Sequence, residues 1–124
     1  MNKILKRKMY NSVIAGYSRS PFAMANKGKL INVKPVNLLA EVIKNLVSQS
    51  KINPKEIEDI IIGCAFQVGD QCFNIGRLVT FLSDLDMRVP GMTVDRWCGL
   101  LWKQFISLQG KFLWDQARYL SVEG

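Results

Sequence analysis

Cys98 closes the run VPGMTVDRWCG, a short apolar strand that breaks at Cys98-Gly99. A strand that hands a cysteine to the start of a helix places its sulfur near unpaired helix N–H groups and the positive end of the helix dipole. Both favour thiolate over thiol, which makes Cys98 the candidate nucleophile. A sulfur nucleophile needs a proton carrier, usually histidine, and the 124 residues contain none. The residue types therefore supply half of a catalytic pair. A lone cysteine among apolar neighbours also suits plain packing, so the chemistry depends on what surrounds it. Cys64 and Cys72 read as packing or loop residues, being too far apart for a C-x-x-C motif. No metal site is expected, because thiolates alone would have to form the whole coordination sphere.

The elements that must position Cys98 belong to a globular chain, with 48% hydrophobic and 22% charged residues. No apolar run approaches the roughly 18 residues of a membrane span, and MNKILKRKMY lacks the apolar stretch of a secretory signal. An odd number of cysteines with no close pair fits a reducing compartment, so a cytoplasmic location is expected. The formal charge is +7, but Lys3, Lys6, Arg7 and Lys8 form a basic leader over residues 1–11. With no recognition motif beside it, that leader reads as a solvated tail, and neither nucleic acid nor membrane is an expected partner.

Strand and helix alternate along the rest. Ser12–Gly16 (SVIAG) reads as a strand, followed by a loop containing Pro21 and Gly28. Apolar residues at Val36, Leu39, Ala40, Ile43, Leu46 and Val47 predict an amphipathic helix over Val36–Gln49. Asn53-Pro54 predicts a short helix with Asn53 as its cap. Asp59–Gly63 (DIIIG) is too continuously apolar for a half-exposed strand and should be buried on both faces. Asn74–Leu85 predicts a second helix with Ile75, Leu78, Val79 and Leu82 on its buried stripe, and Met92–Val94 is the strand that feeds Cys98. The order predicts an α/β layered fold.

These runs carry a resemblance. VPGMTVDRWCG, with GCAFQVGDQCFNIGRLVTFLSDLDMRVP before it and VIAGYSRSPFA near the start, resembles the N-terminal part of the thiolase family of acyl-CoA acyltransferases. The form GCAF-x-x-G-x-Q-x-x-N-I-x-R is most similar to degradative 3-ketoacyl-CoA thiolases of fatty-acid β-oxidation, with acetoacetyl-CoA enzymes close by. The resemblance implies a layered αβαβα fold, of which this chain would hold an incomplete N-terminal part over residues 12–99. It implies Cys98 as the nucleophile that takes the acyl group as a thioester. It also implies coenzyme A and acyl-CoA as substrates with no permanently bound cofactor, and a dimer or tetramer in which the loop near Gln67–Asn74 makes subunit contacts. No residue is assigned to CoA binding: Arg19 and Arg77 read as structural hydrogen-bond donors rather than phosphate ligands.

Members of that family carry a Gly-His-Pro histidine, an Asn-containing motif, a second cysteine in Cys-x-Gly-Gly, and a middle loop domain that holds most of coenzyme A. This chain stops before them. The family pattern Cys-Gly-Ser-Ser-Met also breaks, because Gly99 is followed by Leu100, Leu101 and Trp102, and leucines would overpack a buried helix. A frameshift accounts for residues 100–124. TCT TCT ATG GAA GCA ATT (SSMEAI) read one base late gives Leu-Leu-Trp-Lys-Gln and the start of a Phe codon, matching Leu100 to Phe105. AGKISM and GEVFICGG are recovered in the same way beneath Gln109 to Trp114 and Ala117 to Gly124. Trp102 and Trp114 then carry no functional meaning. The expectation is a thiolase-like acyltransferase fragment, inactive alone for want of the family's histidine and second cysteine. The alternative is a non-catalytic partner of an intact thiolase subunit or of a separately encoded C-terminal half.

Overall fold

The computed structural model describes residues 13–97 and the backbone of Tyr119–Glu123. The basic leader, Cys98 and residues 99–118 lie outside the described residues. The elements run α1 (Pro35–Ser50), a 3-10 turn (Pro54–Glu56), β1 (Asp59–Gly63), a second 3-10 turn (Gly69–Gln71), α2 (Ile75–Leu82), β2 (Gly91–Val94) and β3 (Tyr119–Glu123). The three strands form one parallel sheet in the order β2-β1-β3.

Local sequence explains each boundary. Pro35 opens α1, where its missing N–H leaves no intrahelical bond unmade, and Lys51 ends it in the left-handed region at φ 55°. The Asn53 side chain accepts the N–H of Lys55 at 3.1 Å, capping the short turn as Asn-Pro predicts. β1 follows the expected span and is buried along its whole length. Its alternate residues Ile60 and Ile62 join Ile43, Leu39, Leu46, Ile75 and Val79 in one core cluster. Ile61 faces the other side of the sheet and is likewise fully buried, so β1 is covered on both faces.

Two expectations fail. Residues 13–16 form no strand, and Val13 and Ile14 are 82% and 79% exposed. Both edges of β1 are already taken, one by β2 and the other by β3, whose backbone pairs from Asp59↔Tyr119 to Gly63↔Glu123. A strand within the tail was not expected. The buried stripe of α2 is also rotated. Ile75 and Val79 are buried, but Leu78 and Leu82 are each 41% exposed, and Gly76 and Thr80 take the inner positions. The cause is a close backbone approach: a Cβ on Gly76 would lie 2.5 Å from the Met92 carbonyl oxygen, and one on Gly91 would lie 2.4 Å from that of Gly76. Small residues, not the largest apolar ones, therefore face β2.

Candidate functional site

Parallel sheets present ligands and reacting groups at the carboxyl ends of their strands. Here β1 and β2 finish side by side, paired Gly63↔Val94, and the ladder continues one residue further as the Cys64 N–H donates to Val94 O at 3.0 Å. Beyond Val94 the chain turns. The Asp95 carboxylate accepts the N–H of Trp97 at 3.1 Å, and Trp97 holds φ at 46°, in the left-handed region that a bulky residue rarely occupies. The Trp97 ring meets Phe66 edge-to-face, with centroids 5.8 Å apart. Cys98, the next residue, lies outside the described residues; its strand and the turn that precedes it do not.

Polar contacts join the start of α2 to β2. The Asn74 Oδ1 caps α2 by accepting the Arg77 N–H at 3.2 Å, and its Nδ2 donates to Gly91 O at 2.8 Å. The Thr93 hydroxyl donates to Asn74 Oδ1 at 2.7 Å and accepts the Gly76 N–H at 3.0 Å. Arg77 then reaches the loop before β2, donating to the carbonyls of Val89 and Met87, and lies over the Phe81 ring at 4.4 Å. Its guanidinium is occupied by backbone, as the sequence implies for a structural donor. Arg19 contacts Ser20 O and the Phe22 ring.

Cys64 is buried at the end of β1, with its thiol 3.2 Å from the Gln71 Oε1, whereas Cys72 is half-buried in the loop; both are free. Sequence reasoning missed Asn74 and Thr93 as partners. Their only sequence signal is a cap residue before one helix and a hydroxyl in one strand, which spacing alone cannot join. Among the described residues no three metal-ligating side chains converge. An open depression of about 490 Å³, lined by Lys44, Ser48, Lys51, Asn53 and Asp84 among others, lies where α1 and α2 end and the strands begin. That is the opposite end of the strands from the turn at Asp95.

The thiolase N-terminal domain model matches residues 12–101. The chain belongs to the thiolase family. A 3-ketoacyl-CoA thiolase of Acinetobacter baylyi is 39% identical over 87 residues, covering 70% of this chain and 22% of that protein. Another 3-ketoacyl-CoA thiolase, from Colwellia psychrerythraea, is 38% identical over 92 residues, covering 73% of this chain and 24% of its own length. The crystal structure of the Bacillus anthracis acetyl-CoA acetyltransferase superposes with a TM-score of 0.75 at 27% identity, over 85% of this chain and 26% of that one. The helices and parallel strands are thus an incomplete α/β thiolase N-terminal part. The chain spans between a fifth and a quarter of the length of these relatives.

Proposed function

We propose that Cys98 is the acyl-carrying nucleophile of a thiolase-type acyltransferase, and that these 124 residues alone do not turn over. The observation that carries this reading is the delivery of the Cys98 strand, β2, to the carboxyl edge of a parallel sheet inside a thiolase N-terminal domain. The Cys98 thiolate would add to the keto carbonyl of a 3-ketoacyl-CoA. The bond between the carbonyl carbon and the α-carbon then breaks, its electron pair leaves as the enolate of acetyl-CoA, and an acid protonates that carbanion. A coenzyme A thiol, deprotonated by a base, next attacks the Cys98 thioester and releases acyl-CoA. The acid and the base must come from other residues, because the 124 residues contain neither a histidine nor a Cys-x-Gly-Gly motif. The form GCAF-x-x-G-x-Q-x-x-N-I-x-R supports degradative lipid metabolism, and the free thiols of Cys64 and Cys72 support the cytoplasm. The break in family pattern after Gly99 supports a shifted reading frame over residues 100–124.

Thiolysis of a 3-ketoacyl-CoA by the purified chain decides the activity claim: none is expected above the uncatalysed rate, and CoA-dependent turnover abolished by Cys98→Ser would refute inactivity. A second reading, a non-catalytic partner of an intact thiolase subunit, is favoured by the exposed apolar side chains Phe66, Phe73, Phe81 and Trp97. Failure to co-purify with a co-expressed intact subunit rejects it.

A further inference from the structure

Among the described residues, strand β2 lies at the edge of the sheet, bonded through its backbone to β1 alone. An edge strand with one ladder can shift or fray on its free side, and β2 is only half-buried along its length. A residue five positions before Cys98 offsets that freedom. Thr93 sits one residue from the end of β2, and its hydroxyl both accepts the Gly76 N–H, one of the unpaired donors opening α2, and donates to Asn74, the cap of the same helix. Asn74 in turn binds Gly91 O at the other end of β2. Helix caps ordinarily come from residues beside the helix in sequence. This cap is supplied from a strand 17 residues downstream, so the first turn of α2 and the path of β2 cannot move independently.

We infer that Thr93, held by Asn74, is a positioning residue that locks β2 to the start of α2 and thereby fixes the turn from which Cys98 is presented. It touches no substrate and acts only through the strand. The inference rests on the reading of Cys98 as the nucleophile. Its physical content is that removing one hydroxyl leaves the Gly76 N–H unpaired, frees the end of β2 and lets the Asp95–Trp97 turn take other paths. Cys98 then spends less time where thiolate is favoured.

Iodoacetamide alkylation of the full chain, read at each cysteine by peptide mass spectrometry across pH 6 to 9, tests this. Thr93→Val keeps the branched shape and removes the hydroxyl; Thr93→Ser restores it. Cys64, buried in the core, reports general unfolding in the same sample. The expected result is that Thr93→Val slows Cys98 at neutral pH about three- to tenfold and moves its profile to higher pH, while Thr93→Ser returns it near the parent and Cys64 stays protected throughout. Identical Cys98 profiles in parent and Thr93→Val overturn the inference alone. Should Thr93→Val expose Cys64, Thr93→Ala replaces it, removing the hydroxyl while leaving room for water at the Gly76 N–H; a Cys98 profile there equal to the parent's overturns the inference. Cys98 of the parent behaving as it does in the urea-unfolded chain overturns the nucleophile reading itself.

Discussion

A carboxylate that stabilises a turn can still work against the chemistry next to it. Asp95 lies three residues before Cys98, exposed, with one oxygen accepting the Trp97 N–H. A carboxylate that faces a thiol disfavours the thiolate. Asp95→Asn keeps an acceptor for Trp97 and removes the charge, so alkylation of Cys98 at neutral pH should rise about two- to threefold, and less in high salt. An unchanged rate shows that the carboxylate does not face the thiol. Elsewhere the charges act on stability. The Arg88 guanidinium, bound through Nε at 3.1 Å and a terminal nitrogen at 2.8 Å, holds the Asp86 carboxyl well below the usual carboxylate range, aided by the Arg88 backbone N–H. Its folded pKa lies below its unfolded one, so its contribution is present above about pH 4 and fades as pH falls below that. Urea midpoints for the parent should therefore drop more between pH 5 and 3 than those of Asp86→Asn. The effect should be small, because the pair is solvated.

The packing of α2 on β2 shows what the sequence discloses and what it hides. The period of Val36–Val47 predicted α1 to within one residue at either end, because one long stripe must face the core. DIIIG identified β1, since three consecutive isoleucines admit only a strand covered on both faces. For α2 the apolar period named Leu78 and Leu82 as inward, but the contact is made by backbone at Gly76 and Gly91. Hydropathy ranks glycine too low to reveal a face chosen for closeness. Gly76→Ala pushes a methyl group into the Met92 carbonyl at 2.5 Å, and neither partner is a flexible side-chain end. We expect a loss of about 2–3 kcal/mol in urea unfolding, despite alanine's better helix propensity. Stability unchanged or raised would mean that α2 does not ride directly on β2. The SVIAG segment erred for a different reason: its composition suits a strand, but composition does not say which neighbour it pairs with, and the position beside β1 opposite β2 is taken by β3.

The molecule as described leaves much of its apolar surface uncovered, and that surface is not scattered. Phe66, Val68, Phe73 and Trp97 surround the carboxyl edge of the sheet, with Phe73 at φ 64° and Trp97 at φ 46° holding large rings outward in backbone conformations that disfavour them. On the outer side of α2, Leu78, Phe81 and Leu82 are exposed in consecutive turns. A soluble monomer gains nothing from such a surface, and contiguous exposed apolar side chains of this kind mark a site of association. The isolated chain should therefore self-associate, with a sedimentation coefficient that rises with protein concentration in the micromolar range. Replacing Leu78 and Phe81 with lysine should suppress this, because both are outward-facing and outside the main core cluster. Should the parent remain monomeric up to about 100 μM, the exposed side chains do not drive association, and the partner reading loses its support.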